Sequence, residues 1–205
     1  MKSGGWLMMI SAIVLAAGRS TRMGMQKMLM PWGNTTVLES VVQTLQNSGI
    51  EDIIIVTNLE ISKSIFNYQS FNSAQDKLPI TINNNGEMLA SIQAGLRAQN
   101  PSAEAALICL GDQPQMEEGS VRSVCEAYSK GKSNLIAPSY QMRRGHPWLA
   151  AKPLWDEILA MTEGQTMRGF LNRHADEIEY VPLDTPTILQ DLDTPDDYLK
   201  YKPPL

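Results

Sequence analysis

The chain has 205 residues, 43% of them apolar, and a formal net charge of −5, enough for one domain with a two-sided core and the wrong charge for a protein that grips duplex nucleic acid. Its two cysteines, Cys109 and Cys125, lie in apolar runs without metal-ligand spacing, which argues against a disulfide framework or a zinc site and for a reduced, cytoplasmic setting. The apolar run from Trp6 to Ala17 is too short to cross a bilayer, and Arg19 and Arg22 follow it at once, so a turn is expected there rather than a membrane segment or signal peptide.

Strands and helices are predicted in alternation. Met9 to Ala16 is a continuous apolar run of strand length. Thr36 with Glu39 three residues on forms a capping box for a helix whose Val37, Leu38, Val41, Val42 and Leu45 make one stripe, stopped by Gly49. Further buried strands are expected at Ile53 to Val56, Ile80 to Ile82 and Ala105 to Leu110. The third of these four is followed by a helix from about Met88 to Ala98, and the fourth by one in which Val121, Val124, Cys125 and Tyr128 share a face. From Pro138 the pattern becomes irregular, with short strands near Trp148 to Ala150 and Ile178 to Val181 and helices near Leu154 to Met161, Met167 to His174 and Pro195 to Tyr201. Apolar strands between amphipathic helices imply an α/β fold whose mostly parallel sheet is covered on both faces, with ligands held where loops leave the carboxyl ends of the strands.

The most informative segment is Leu15 to Lys27, LAAGRSTRMGMQK. Residues 1 to 38 carry four cations and no carboxylate, which leaves 13 cations against 22 acids, a net of −9, for the rest of the chain. The loop is not a Walker A motif, because no Gly-Lys-Ser/Thr follows Gly18 and Gly24, and Ser20 and Met23 occupy the second and third glycine positions of a dinucleotide fingerprint. The physical ingredients of a polyphosphate site survive: a glycine for close backbone approach, hydroxyls on Ser20 and Thr21, and three cations, Arg19, Arg22 and Lys27.

Acidic residues supply the complement. Asp112 in Gly111-Asp112-Gln113-Pro114 follows a strand and should emerge at the same carboxyl edge as the first loop, well placed to hold a metal; its bland alternative is a turn aspartate capping the next helix. The stretch from Asp176 to Asp197 has eight acids and no lysine or arginine. In its extended part Asp191 and Asp193 point the same way, whereas Thr194 is expected to cap a helix begun by Pro195, with Asp196 and Asp197 structural in its first turn. A cationic loop facing paired acids suggests phosphate chemistry with magnesium, a hard cation that accepts one or two carboxylates together with phosphate oxygens and water.

The string LAAGRSTRMG-x-x-K, with GDQP near the middle, GHP at Gly145 to Pro147 and DLDTPDDY near the end, resembles the MobA-like nucleotidyltransferases, most closely their molybdenum cofactor cytidylyltransferase branch. The resemblance spans about Ile10 to Tyr198 and implies a Rossmann-like, three-layer nucleotidyltransferase fold on a mostly parallel mixed sheet. It implies a single domain over 1–205, with a nucleotide half at about 8–137 and an acceptor half at about 138–205. The implied reaction transfers NMP from an NTP, CTP foremost, to a phosphate monoester such as molybdopterin and releases pyrophosphate. The implied cofactor is Mg2+, with Mn2+ as a substitute, and a molybdoenzyme is an implied partner.

Carried over by position, the resemblance gives Leu15, Ala16, Ala17 and Gly18 to the base and ribose. Arg19, Ser20, Asn85, Gly86 and Ser91 are further nucleotide contacts. Arg22 would meet the β- and γ-phosphates, Lys27 the α-phosphate, and Asp112 with Asp191 or Asp193 the metal, so that Arg22, Lys27 and Asp112 form the catalytic set. Arg143, Arg144, Gly145, His146 and Arg168 are implied acceptor contacts. Two departures from the family pattern stand out: Gln26 occupies the usual place of a proline before the loop lysine, and Gly164-Gln165-Thr166-Met167-Arg168 lacks the aspartate of the family's acceptor segment. Alternative readings are a GTP-dependent or sugar- or alcohol-phosphate nucleotidyltransferase, and a noncatalytic NTP-binding accessory protein for molybdoenzyme maturation.

Overall fold

A computed structural model describes residues 8–18, 23, 26–67, 78–84 and 87–203. Ten strands and seven helices are seen among them: β1 (Ile10–Ala16), β2 (Pro31–Trp32), β3 (Thr35–Thr36), α1 (Val37–Asn47), β4 (Asp52–Thr57), α2 (Leu59–Asn67), β5 (Ile80–Ile82), α3 (Met88–Ala98), β6 (Ala105–Leu110), α4 (Glu118–Ser129), β7 (Leu135–Tyr140), β8 (Arg143–Arg144), β9 (Trp148–Ala151), α5 (Trp155–Ala160), α6 (Met167–Arg173), β10 (Ile178–Pro182) and α7 (Pro195–Tyr201). The main sheet runs β10-β7-β9-β6-β1-β4-β5, with β8 hydrogen-bonded to β7. Pairing is parallel for β1–β4, β1–β6, β4–β5 and β7–β10, whereas β9 lies antiparallel between β6 and β7. The chain therefore enters β1, β4, β5, β6, β7 and β10 in one direction, and the loops that leave them gather on one edge.

The alternation of side chains along each strand builds two cores. Ala12 and Val14 of β1, Ile53 and Ile55 of β4, and Leu107 and Cys109 of β6 pack on one face with α1, α2 and α4 through Leu38, Val41, Ile61, Val121 and Val124. Ile13 and Leu15, Ile54 and Val56, and Ala106 and Ile108 face the other way, under Ile92 and Leu96 of α3, Trp155 and Ile158 of α5, and Phe170 of α6. Each fully buried Ile or Leu in these layers contributes on the order of 1.5–3 kcal/mol. Trp148 is 2% exposed and packs in the second core. Both cysteines are free and buried, and burial pushes the Cys125 thiol up to about 12 and Cys109 well above the usual thiol range, so neither is a ready nucleophile.

The helix caps follow the sequence. Thr36 and Glu39 exchange both bonds of the capping box at the start of α1, and Thr194 does the same with Asp197 at α7, which makes Asp197 a structural acid. Four features were not legible: α2, the β2–β3 hairpin, and the strands β7 and β8. Pro138 reads as a breaker, yet it sits inside β7 at the gap where β9 has ended at Ile136 and β8 begins only opposite Ser139, so its missing N–H breaks no ladder on that side. Because β7 also crosses position 137/138, the two sequence halves share one sheet.

Helix α3 approaches β1 over a glycine: a Cβ on Gly95 would lie 2.4 Å from Cγ2 of Ile13. Gly95→Ala gains about 1 kcal/mol of helix propensity but forces an overlap that costs about 1–3 kcal/mol in a packed core. We expect urea denaturation to show a net loss of stability, and Ile13→Ala to cost less in the Gly95→Ala background than in the wild type. A more stable Gly95→Ala protein would contradict this packing.

Candidate active site

Three loops meet at the carboxyl edge of the sheet. The first leaves β1 at Ala16, the second leaves β6 at Leu110 and carries Asp112, and the third follows β10 and carries Asp191 and Asp193. The ends of β1 and β6 are zipped by a Gly111 N–H bond to the Leu15 carbonyl at 3.0 Å, where an added Cβ would come within 3.0 Å of the same oxygen. Glycine precedes Asp112 because a side chain there would push the two strand ends apart. Asp112 caps no helix, since α4 is entered at Glu117. Instead its carbonyl accepts the Leu192 N–H at 3.1 Å, which ties the second loop to the third.

Lys27 joins all three segments. Its one-turn 3-10 helix, Lys27–Leu29, buries the side chain to 10% exposure, and its ammonium bonds to Oδ2 of Asp112, donates to the Leu192 carbonyl at 3.1 Å and lies 3.6 Å from Oδ1 of Asp193. Gln26 before it has φ −71°, a value a proline ring would also impose, so glutamine here enters Lys27 through proline-like backbone. The strand-like alternation at 191–193 also holds: Leu192 is fully buried against Trp32 and Val37, while Asp191 and Asp193 both line the cleft.

The cleft has a volume of about 280 Å³ and is lined by Leu15, Ala17 and Gly18, by Met88 and Ser91 at the start of α3, and by Lys27 with Asp112, Asp191 and Asp193. Ser91 is oriented by a 2.8 Å bond from Asn83 Nδ2. Arg19, Ser20, Arg22, Asn85 and Gly86 lie outside the described residues. A larger cleft of about 790 Å³, between Gln26, Asn58, Lys63 and Asn84, shares no lining residue with the first and holds no carboxylate pair. Charges of both signs converge in the smaller cleft.

Three carboxylates against one ammonium leave the described part of this cleft anionic. Burial, reinforced by the charge of Asp112, raises the Asp191 carboxyl to about 6, against a hydrogen bond from Gln113 that favours the ionised form. Among the described residues there is no preformed group of three or more metal-ligating side chains. Hard oxygen donors from one or two residues, on a loop pair that repel each other, fit Mg2+ or Mn2+ completed by phosphate and water, and do not suit a soft metal.

Of the residues that the resemblance gives to the acceptor, Arg143, Arg144, Gly145 and His146 come from β8 and the turn after it, also at the carboxyl edge, and Arg168 from α6. Arg143 is exposed, and Arg144 donates to Oδ1 of Asn172 on α6 while its Nη1 is buried without a partner. Arg168 is exposed on α6, one turn before Asn172. Gly145 passes so close to Ile188 that a Cβ would lie 2.3 Å from its carbonyl oxygen, and the His146 N–H donates to that oxygen at 3.0 Å. Burial lowers the His146 imidazole to about 4, so it brings no positive charge at neutral pH, and its Nε2 has no partner. Where the family segment carries aspartate, Gln165 instead accepts the Thr162 N–H at 2.7 Å and Thr166 caps α6. Sequence reading missed Gln113, which is 1% exposed and donates to Oδ1 of Asp191 at 2.6 Å; its place directly after Asp112 was the one available signal.

A model of the MobA-like NTP transferase domain matches residues 12–178. The chain belongs to this family. The MobA-like chain is 29% identical to the molybdenum cofactor cytidylyltransferase of Escherichia coli K12, over 94% of itself and 95% of that protein. It is 23% identical to nicotine blue oxidoreductase of Paenarthrobacter nicotinovorans, over 90% of itself and 92% of the relative. Among solved structures, Rv0371c of Mycobacterium tuberculosis H37Rv superposes with a TM-score of 0.81 at 24% identity, covering 94% of this chain and 97% of that one. A manganese complex of Rv0371c superposes with a TM-score of 0.76 at 23% identity, covering 95% and 98%. The MobA-like chain is thus a nucleotidyltransferase on a Rossmann-like α/β fold, and among its described residues no helix is long and apolar enough to cross a membrane.

The His146 environment predicts a pH effect. In the unfolded chain the imidazole protonates near 6.5, in the folded chain near 4, so the unfolded state binds the extra proton between these values and stability falls as pH drops through the window. Between pH 7 and pH 5 this amounts to about 2 kcal/mol, read from urea denaturation at both values. His146→Asn should lack this increment, and an equal acid loss in both proteins would contradict it.

Proposed function

We propose that this cleft moves a nucleoside monophosphate, CMP from CTP foremost, onto the phosphate of a small acceptor such as molybdopterin, releasing pyrophosphate. One observation carries the reading: a single buried ammonium, Lys27, is shared by Asp112, Asp193 and the carbonyl of Leu192 at the carboxyl edge of the sheet. A phosphate-transfer site needs a fixed cation facing the reacting phosphate and carboxylates that can take a counterion, and little covalent machinery beyond that. Similarity over almost the full length to a cytidylyltransferase supports CTP and molybdopterin as first choices.

In this reading Leu15 to Gly18 and Ser91 flank the base and ribose, and the exposed Gly18, with open space where a Cβ would stand, lets backbone approach the nucleotide. Lys27 donates to an α-phosphate oxygen, with Arg22 at the β- and γ-phosphates. An acceptor phosphate oxygen attacks the α-phosphorus, the bond to the bridging β-oxygen breaks, and pyrophosphate leaves with the electron pair. Asp112 with Asp191 or Asp193 would hold a divalent ion, Mg2+ or Mn2+, which when bound supplies the charge that neutralises phosphate oxygens. Arg143, Arg144, Gly145, His146 and Arg168 bind the acceptor: the buried Nη1 of Arg144 offers it a charged donor, and the neutral His146 ring a hydrogen-bond partner. The product would pass to a molybdoenzyme in the cytoplasm.

Pyrophosphate release, measured with each NTP and Mg2+ in the presence and absence of molybdopterin, tests the reading. Release that requires both CTP and molybdopterin is expected; none with any acceptor, despite saturable NTP binding, would overturn it. Lys27→Ala should lower kcat about 10²-fold or more, with a much smaller change in the NTP dissociation constant. An unchanged kcat removes Lys27 from the chemistry.

A further inference from the structure

Gln113 follows Asp112 and is almost completely buried, 1% exposed. Its side-chain amide is committed on the nitrogen side: Nε2 donates to Oδ1 of Asp191 at 2.6 Å and reaches the Ile188 carbonyl at 3.5 Å. That same carbonyl accepts the His146 N–H at 3.0 Å, so one oxygen is shared by the acidic loop's support and the acceptor-side turn. The other end of the amide, Oε1, is buried without a donor.

The orphan oxygen fixes the meaning of the arrangement. A flipped amide would set Oε1 against the Asp191 carboxylate, oxygen facing oxygen, so the orientation with Nε2 toward Asp191 is enforced by that residue. A buried amide left half satisfied weakens the fold, and a residue chosen for stability at this position would be apolar. Local rules broken without a compensating gain in packing point to a functional site. Asp112 and Asp191 repel each other across the cleft, and among the described residues the hydrogen bond given to the Asp191 carboxyl is the one from Gln113.

We propose that Gln113 is a positioning residue for the metal site: it holds Asp191 in the rotamer that faces Asp112, and through Ile188 it keeps the acidic loop in register with the turn that carries Arg144 and His146. This rests on the reading of the cleft as a metal-dependent nucleotidyltransferase site. It also selects Asp191 over Asp193 as the second carboxylate, since Asp191 is the one Gln113 holds and Asp193 is half exposed.

The test is Gln113→Met, which keeps the length of the side chain, removes the donor and removes the orphan acceptor. Mn2+ binding is followed by electron paramagnetic resonance of the free ion, with CTP or GTP present, in the full chain, alongside thermal unfolding without metal. We expect the variant to unfold at the wild-type temperature or higher while its Mn2+ dissociation constant rises about tenfold or more, and pyrophosphate release to recover as Mn2+ is raised. A merely structural glutamine would give the reverse, lower unfolding temperature with unchanged Mn2+ affinity, and either of those results overturns the proposal. Asp191→Asn should weaken Mn2+ binding more than Asp193→Asn, and the opposite order also overturns it. Tight wild-type binding that Gln113→Met leaves intact defeats this inference alone, whereas no nucleotide-dependent Mn2+ binding by the wild type defeats the underlying reading with it.

Discussion

The structure turns on a lysine held under three loops. Lys27 is buried to 10% side-chain exposure, and its ammonium is satisfied by groups 85 and 165 positions away in sequence, Asp112 and Leu192. A charge taken that far out of water is tolerated only with partners, and removal of one partner from a buried pair costs about 3–5 kcal/mol. The loops after β1, β6 and β10 are therefore fastened to one another by one ammonium. In the proposed function the same cation meets substrate phosphate, so stability and chemistry would compete for it. Site groups also oppose stability: three carboxylates crowd a cleft with a single described ammonium, and Asp191 is pushed up to about 6 by burial and by Asp112. Such strain is what a site looks like when part of its charge is to arrive with a ligand.

Much of this was legible in the residues. The apolar strands β1, β4 and β6, the capping box at Thr36 and the helix cap at Thr194 depend on local chemistry, so apolar patterning and capping residues reveal them in the sequence. The parallel order then brings the first loop and Asp112 to the same edge, as a doubly covered sheet requires. The alternation that turns Asp191 and Asp193 to the cleft and Leu192 to the core is likewise a property of extended chain. What stayed hidden depends on tertiary context. Pro138 inside β7 is explained only by the gap between β9 and β8, and the antiparallel insertion of β9 between β6 and β7 has no local signature. Gln113 could not be read from spacing at all, because its partners lie 75 and 78 residues downstream.

The β8 turn shows how residue type can mislead about charge. Arg143, Arg144 and His146 read together as a basic turn, but burial holds His146 neutral, down to about 4, so the turn's positive charge comes from the arginines. Where the resemblance leads one to expect an acceptor aspartate, Gln165 closes a turn and Thr166 caps a helix. Sequence similarity to proteins named as a cytidylyltransferase and as an oxidoreductase shows that likeness of the whole chain does not by itself fix function, which must be argued from the site.

Anomalous diffraction from crystals grown with Mn2+ and a nonhydrolysable CTP analogue tests the central claim most directly. The account predicts one manganese peak between the carboxylates of Asp112 and Asp191, with the Lys27 ammonium turned onto a phosphate oxygen and Gln113 still bonded to Asp191. Nucleotide and manganese seated in the larger cleft beside Asn58 and Lys63, with Lys27 still paired to Asp112, would contradict it.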